Sequence, residues 1–208
     1  MPQYTRNPPL CEADLAADPA AQFQVWLTAA VEAGMYEPNA MALATVDAAS
    51  RPSVRIVLFK GFHEGGPTFY TNYNSRKGRE MAAQPQVAAT FWWDRMERQV
   101  RLEGRVEKLP AAVSEAYFRA RPRLSQIGAT VSRQSQVVAT REELDARLAA
   151  AERHYGEDTE VPRPPHWGGY RIEVDRWEFW QGRGGRLHDR LLYVRAATGG
   201  WIIERLEP

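Results

Sequence analysis

Cysteine is nearly absent from this chain, which has one, Cys11, among 208 residues. A single cysteine excludes an internal disulfide framework and a metal cluster built on cysteine thiolates. The chain also lacks any apolar run near the ~18 residues that a membrane-spanning helix requires. Its N-terminus has no basic stretch followed by an apolar one, which is the pattern of a secretory signal peptide. We therefore expect a cytoplasmic protein with no membrane partner.

Excess charge of either sign is also lacking. There are 27 Lys and Arg against 26 Asp and Glu, which gives a net charge of +1. Nucleic-acid-binding domains are usually basic, so no nucleic-acid partner is predicted and any basic patch must be local. Aromatic residues are plentiful, with seven Trp and eight Tyr. They indicate flat surfaces in a core, at a subunit interface or on a ligand.

Several catalytic signatures are missing as well. The chain contains no HExxH, GxSxG, P-loop or CxxC motif, and its four histidines show no metal-ligand spacing, so no metal is predicted. The glycines of "WQGRGGRLHDR" do not form the GxGxxG pattern of dinucleotide-binding proteins. We interpret them as a turn between two strands.

Turn residues and apolar periodicity predict the order of helices and strands. The first helix follows Asp18 as N-cap and Pro19 as first residue, and it stops near Gly34. Further helices are expected from Ser75, over 110–120, and from Thr140 to about 154. Strands are expected at 40–46, 53–62, 67–73, 86–93, 98–109, 170–180, 190–196 and 201–206.

The predicted strands follow one another, and helices are inserted between groups of strands. A doubly wound fold would instead place a helix after every strand. The pattern therefore predicts a mainly β fold with helices (α+β), built as an antiparallel barrel. We expect residues 18–208 to form a single domain and residues 1–17 to be a flexible N-terminal segment.

Two stretches place cations where physical chemistry disfavours them. If Ser75 is the N-cap, Arg76 and Lys77 fall in the first helical turn and oppose the helix dipole. An anion bound at that helix start would reverse the effect. In "RIVLFK", Arg55 and Lys60 interrupt an apolar strand and need partners. The alternative in both cases is that the cations are solvated at the surface.

The stretch "YFRARPRLSQIG" spaces Tyr117, Arg121 and Ser125 four residues apart. Pro122 interrupts a continuous helix, so we expect Arg121 at the helix end and Ser125 in the following loop. One guanidinium and two hydroxyls suit a phosphate. An arginine at a helix C-terminus is also favourable without any ligand.

The stretch "RLHDR" near the C-terminus collects two arginines and a histidine. If it is extended, Arg186, His188 and Arg190 point to one side, while Leu187 and Asp189 point to the other. Neighbouring like charges repel, so the row requires a partner.

Taken in order, these segments resemble the pyridoxamine (pyridoxine) 5′-phosphate oxidase family. The matching stretches are "RIVLFK", "FYTNYNSRKGRE", "ERQVRLEG", "YFRARPRLSQIGATVSRQSQ", "WGGYR", "EFWQG", "RLHDR" and "ERLEP", from about residue 18 to the end. The resemblance implies a split-barrel homodimer with FMN at the subunit interface. It also implies oxidation of pyridoxine or pyridoxamine 5′-phosphate to pyridoxal 5′-phosphate, with O₂ reduced to H₂O₂ and ammonia released from the amine.

The resemblance further implies a role for each matching residue. FMN would be bound by Arg55, Ile56, Val57, Lys60, Tyr70, Thr71, Arg76, Lys77, Gln99, Gln134, Ser135, Trp180 and Arg190. The substrate would be bound by Lys60, Tyr117, Arg121, Ser125, Arg186 and His188. Arg186 and His188 are the catalytic candidates, with Arg186 over the pyridine ring and His188 at its 3-hydroxyl or assisting proton loss. Arg190 would lie near the flavin N1–C2 carbonyl.

The N-terminus departs from the family pattern, because "MPQY" and "CEADL" lack the arginines usual there. A substrate-covering N-terminal segment and a secondary pyridoxal phosphate site are therefore not carried over to this chain.

Two other functions are compatible with the same fold: a non-enzymatic flavin or pyridoxal phosphate carrier, and a split-barrel enzyme of another specificity, such as a flavin reductase or a deazaflavin-dependent oxidoreductase. A carrier of one ligand would not need both residue sets. Tyr117, Arg121 and Ser125 favour a phosphorylated vitamer over the substrates of the other enzymes.

Overall fold

The computed structural model describes Tyr4 and residues 6–208. Its helices are Pro19–Glu32 (α1), Arg76–Ala83 (α2), Ala111–Arg119 (α3), Arg123–Val131 (α4) and Arg141–Tyr155 (α5). Its strands are Ala40–Val46 (β1), Pro52–Leu58 (β2), Phe62–His63 (β3), Gly66–Asn72 (β4), Gln86–Trp93 (β5), Arg98–Lys108 (β6), Trp167–Gln181 (β7), Asp189–Arg195 (β8) and Trp201–Arg205 (β9). No helix in this described part is both long and apolar enough to span a bilayer.

The strands form one antiparallel sheet in the order β2-β1-β5-β6-β7-β4-β3, with β8 beside β7 and β9 beside β8. The long strand β7 pairs with β6 on one side. On the other side its first part pairs with β4 and its last part with β8. A bulge between Glu103 and Gly104 shifts the β6–β7 register, and such bulges bend a strand. The predicted mainly β, antiparallel split-barrel class is confirmed.

The segment that follows β2 pairs with β4, near the other end of the sheet. The backbone N–H of Lys60 donates to the carbonyl of Thr68 at 2.8 Å, and the N–H of Thr68 donates to Gly61 at 2.9 Å. Strand β2 ends at Leu58, so the predicted strand 53–62 is too long. Gly61 has φ +94°, a conformation that interrupts a strand and is open mainly to glycine. Lys60, just before this break, lines the cavity described below while its backbone stays paired with β4.

The predicted helix starts agree with the structure. The carboxylate of Asp18 accepts the N–H of Ala21 at 3.2 Å. In the same way, the hydroxyls of Ser75 and Thr140 cap α2 and α5. These side chains satisfy backbone N–H groups that have no partner within a helix. The cap of α2 confirms that Arg76 and Lys77 occupy its first turn.

Two local predictions are wrong. Ser125 lies in a helix rather than a loop, because Pro122 precedes a new helix, α4, instead of ending ordered structure. The stretch "RLHDR" is extended only from Asp189 onward. Gly185 and Arg186 have φ values of +71° and +64° within a 3-10 turn, so strand alternation does not place Arg186 and His188.

Aromatic residues fill the interior in two clusters. In the larger one, Phe23 of α1 is fully buried, and its ring lies 4.8 Å from that of Phe91 and 5.6 Å from that of Trp177. The smaller one packs Phe118 of α3 and Ile127 of α4 around Trp167 of β7. The smaller cluster therefore holds the α3–α4 pair against β7, where the cavity described below opens.

The predicted flexible segment 1–17 includes residues 1–3 and 5, which lie outside the described residues. In the rest of that segment, the carbonyl of Pro8 accepts from Gln181 at 2.8 Å. The N–H of Leu10 donates to Asp189 at 3.0 Å. Glu12 pairs with Arg205 at 2.9 Å. These contacts join residues 8–12 to β7, β8 and β9.

Candidate active site

A cavity of about 510 Å³ opens beside β2, β4, α3 and α4. Its walls bring together ten of the residues predicted to bind FMN or substrate: Ile56, Val57, Lys60, Tyr70, Thr71, Lys77, Tyr117, Arg121, Ser125 and Gln134. Leu58, Ala120, Pro122 and Trp167 complete the lining. Segments that are distant in sequence thus meet at one place.

A buried ammonium group lies in this wall. Lys77 is 9% exposed, and its Nζ donates to the amide oxygen of Gln134 at 2.6 Å. Thr71 donates to the same oxygen at 3.2 Å. Burial, with a smaller effect from Arg55, lowers the pKa of Lys77 to about 8. No carboxylate of the described residues pairs with Lys77, so a bound anion would supply the missing countercharge.

Two more predicted cofactor residues lie beside α2 without lining the cavity. Arg55 on β2 and Arg76 on α2 both bind the carboxylate of Glu80, at 3.1 and 2.8 Å. Glu80 is thus the partner that the charge of Arg55 requires within its apolar strand, and Glu80 does not pair with Lys60. Arg76 and Lys77 are adjacent in the first turn of α2, so the three cations belong to one region.

A second cation, half-buried, belongs to the part of the wall formed by α3 and α4. The guanidinium of Arg121 lies 4.5 Å from the ring centre of Trp167. Burial lowers its pKa, and its Nη1 is buried with no hydrogen-bond partner among the described residues. Buried polar atoms are nearly always hydrogen-bonded, so an orphan on a residue of the cavity wall is consistent with a ligand position close by. Tyr117 and Ser125, which also line the cavity, supply hydroxyls there.

Stacked rings form a flat wall next to Arg121. Tyr70 and Tyr117 stack with centroids 3.8 Å apart, and Tyr70 lies 5.6 Å from Trp167. A Cβ on Gly169 would lie 2.7 Å from the ring of Tyr70, so this position requires glycine. Trp167 has no predicted role, although it begins the matching stretch "WGGYR". The only sequence signal that Trp167 is closely packed is the pair of glycines that follows it, Gly168 and Gly169.

The remaining predicted residues form a second group at β6, β7 and β8. Gln99, Trp180 and Arg190 lie side by side in register across these three strands. The ring of His188 lies 4.6 Å from that of Trp180. Neither these four residues nor Arg186 contribute to the lining of the cavity. Ser135 also lies outside the lining, directly after Gln134, with φ +70°.

Protonation and charge in the second group are set by its neighbours. The backbone N–H of Arg183 donates to Nδ1 of His188 at 3.1 Å. Burial, together with Arg186, lowers the pKa of His188. Because Nδ1 accepts this hydrogen bond, the proton of the neutral imidazole lies on Nε2. Arg190 is already paired, because its Nε and Nη2 donate to the carboxylate of Glu178 at 2.8 and 3.1 Å and its Nη1 donates to the carbonyl of Glu207 at 2.9 Å.

The ion pairs of Asp189 are made with arginines that have no predicted role toward a ligand. It binds Arg205 at 3.0 Å and lies 3.6 Å from Arg183.

Comparison with known proteins supports one family. The family model described as pyridoxamine 5′-phosphate oxidase matches residues 27–155. The model described as the pyridoxine 5′-phosphate oxidase C-terminal dimerisation region matches residues 167–208, which supports a homodimer. Pyridoxine/pyridoxamine 5′-phosphate oxidase of Burkholderia multivorans is 57% identical over 201 residues, covering 96% of this chain and 93% of that relative. The protein of the same name from Acaryochloris marina is 54% identical over 203 residues, covering 98% and 92%.

Solved structures agree with this result. PhzG from Burkholderia lata 383, in complex with tetrahydrophenazine-1-carboxylic acid, has a TM-score of 0.89 at 30% identity and covers 96% of this chain and 98% of its own. A pyridoxamine 5′-phosphate oxidase-related, FMN binding protein from Nostoc punctiforme has a TM-score of 0.75 at 16% identity, covering 89% and 97%, and shows the shared fold. The chain belongs to the pyridoxamine 5′-phosphate oxidase family of flavin-binding oxidoreductases.

Proposed function

We propose that this protein oxidises pyridoxamine 5′-phosphate and pyridoxine 5′-phosphate to pyridoxal 5′-phosphate with FMN as cofactor, and that O₂ is reduced to H₂O₂. The observation that carries the proposal is the pair of cations in one cavity, the buried Lys77 and the half-buried Arg121. Neither has a carboxylate partner among the described residues. FMN and the substrate each bring one phosphate, so two such cations are what this pair of ligands requires.

Lys77, with Arg55 and Arg76 behind it, suits the FMN phosphate. The first turn of α2 adds backbone N–H groups and the positive end of the helix dipole. Gln134 and Thr71 hold the ammonium of Lys77 in place. When bound, FMN supplies the two-electron redox chemistry that side chains lack.

Arg121 suits the phosphate of the substrate. Its guanidinium is fixed over Trp167 in the cavity wall, and its Nη1 has no hydrogen-bond partner among the described residues. Tyr117, Ser125 and Lys60 add two hydroxyls and an ammonium from the same wall. Stacking of Tyr70, Tyr117 and Trp167 keeps this wall rigid, and a fixed phosphate orients the pyridine ring for reaction.

The second group would act across a subunit interface. Arg186, His188 and Trp180 lie within the dimerisation region, residues 167–208, and outside the cavity lining of their own chain. We place them over the cavity of the partner protomer, which accounts for both facts. There Arg186 would cover the substrate ring, and neutral His188 would hydrogen-bond the 3-hydroxyl through Nε2.

The first experiment tests the activity. Purified protein loaded with FMN is mixed with each phosphorylated vitamer in air, and pyridoxal 5′-phosphate and H₂O₂ are measured. We expect equal amounts of the two products. Failure to bind FMN would refute the proposal, and a flavin-bound protein inert to both vitamers would favour a carrier. Equal activity on pyridoxine without its phosphate would refute the role of Arg121 and favour another specificity.

A second experiment tests the shared site. Lys77→Met and Arg186→Leu subunits, each expected to have little activity alone at low FMN and vitamer concentrations, are coexpressed. A two-fold dimer of the two variants has one cavity with both lesions and one intact cavity, so random mixing restores about a quarter of wild-type activity. The matched control mixes Lys77→Met with Arg121→Leu, whose lesions lie in the same cavity wall. No recovery is expected there, and recovery in the control alone would contradict the shared arrangement.

A further inference from the structure

Glu80 on α2 is a buried carboxylate that no predicted role includes. Its side chain is 5% exposed. Oε1 accepts from Nε of Arg76 at 2.8 Å, and Oε2 accepts from Nη2 of Arg55 at 3.1 Å. One carboxylate thus joins two arginines that come from different elements, β2 and α2.

Two hydroxyls complete this arrangement. Thr45 and Ser53 both donate to Oε2 of Glu80. Their oxygens also accept from the guanidinium of Arg55, whose Nη1 reaches the carbonyl of Leu43 at 3.1 Å. The guanidinium of Arg55 is therefore fixed on several sides, and Glu80 is the charged member of that set.

The charge of Glu80 is permanent under ordinary conditions. Burial by itself would raise the pKa of its carboxyl. Hydrogen bonds from Thr45, Ser53 and Arg76, with the charge of Arg55 nearby, hold the pKa at about 2. The carboxylate is ionised throughout the range in which the protein would work.

The local charge count fits a phosphate monoester. Arg55, Arg76 and Lys77 are three cations and Glu80 is one anion, which leaves two positive charges. A phosphate monoester carries about −1.5 to −2 at pH 7. Without Glu80 the region would hold three neighbouring cations, which repel one another in the absence of a ligand.

We propose that Glu80 is a positioning residue of the flavin phosphate site, which holds Arg55 and Arg76 so that a phosphorylated flavin is preferred over riboflavin. The inference rests on the proposed function, because it assumes that the FMN phosphate binds beside α2. A purely structural role is the competing explanation, since Glu80 also ties α2 to β1 and β2 through Thr45 and Ser53.

The test uses the apoprotein and two ligands that differ only in the phosphate. Dissociation constants for FMN and riboflavin are measured by quenching of flavin fluorescence for wild type, Glu80→Gln and Glu80→Asp. Gln keeps the size and loses the charge, whereas Asp keeps the charge and is too short to reach both arginines. We expect the preference for FMN to fall about 10-fold or more in both variants, with riboflavin affinity nearly unchanged.

Comparing two ligands on one variant removes any effect of partial unfolding, because both constants refer to the same folded fraction. Glu107→Gln is the matched control. Glu107 forms an ion pair with Arg171 at 3.0 Å, and neither residue lines the cavity. It should keep the wild-type preference for FMN.

Each result decides the question. An unchanged FMN preference in folded Glu80→Gln, or an equal loss for FMN and riboflavin, overturns the inference and leaves the proposed function standing. Wild-type protein that binds neither flavin overturns the proposed function itself. If the Glu80 variants do not fold, Ser53→Ala decides, because it removes a hydroxyl between Glu80 and Arg55 and keeps the carboxylate. An unchanged preference in that variant also overturns the inference.

Discussion

Replacing Lys77 by methionine separates the stability of the protein from its affinity for cofactor. Burial lowers the pKa of Lys77 from 10.5 to about 8. A tenfold change in protonation corresponds to ~1.4 kcal/mol, so holding the charged ammonium in the folded apoprotein costs about 3 kcal/mol at pH 7. Methionine has a similar shape and no charge, so it removes this cost.

The substitution also removes a charge-assisted hydrogen bond to Gln134, worth about 2 kcal/mol. Thr71 continues to donate to that amide oxygen. The net expectation is an apoprotein more stable by about 1 kcal/mol, which for a chain of this size raises Tm by roughly 2–4 °C. Affinity for FMN should fall about 100-fold, because a charge-assisted bond to phosphate is lost.

The stability difference between wild type and Lys77→Met should depend on pH. Below pH 8 both folded and unfolded wild type carry the proton, and the full cost is present. Between pH 8 and 10.5 the folded state releases its proton first, so the wild-type apoprotein gains stability relative to the variant. Thermal unfolding of both apoproteins from pH 6 to 10 should show the Tm difference narrowing above pH 8. A variant less stable than wild type at pH 7, or a pH-independent difference, would refute this account of Lys77.

Three further substitutions test the other contacts. Arg121→Leu should raise KM for both vitamers about 100-fold while an FMN titration stays unchanged, and loss of FMN would contradict the assignment to substrate. Trp167→Leu removes the ring under that guanidinium, so we expect KM to rise about 10-fold and unfolding free energy to fall by about 3 kcal/mol in a denaturant titration. Arg186→Leu should lower kcat/KM with FMN still bound; a colourless variant would show that this arginine serves the cofactor.

Most of the fold follows from local chemistry in the sequence. Alternating burial places Met41 and Leu43 of β1 in the core, and the caps at Asp18, Ser75 and Thr140 begin helices where expected. These signals depend on a few neighbouring residues, so one chain suffices to find them.

Features that depend on distant residues are not accessible in this way. The left-handed conformation of Arg186 depends on the turn between β7 and β8, and no local preference predicts it for arginine. Glu80 meets Arg55 across 25 residues, and Arg121 meets Trp167 across 46. Sequence spacing indicates neither partner. The cations could be recognised as unusual, but the groups that hold them could not.

The net charge of the whole chain is a poor guide to the ligands that it binds. Many arginines pair with carboxylates, as Arg190 does with Glu178 and Arg171 does with Glu107. Such pairs cancel in the total of +1 without binding anything. Lys77 and Arg121 contribute to the same total, yet both line one cavity wall with no described carboxylate beside them. A nearly neutral protein can therefore bind two phosphates. An anion is selected by a cation that has no partner in a low-dielectric site, and the total charge of the surface does not decide the matter.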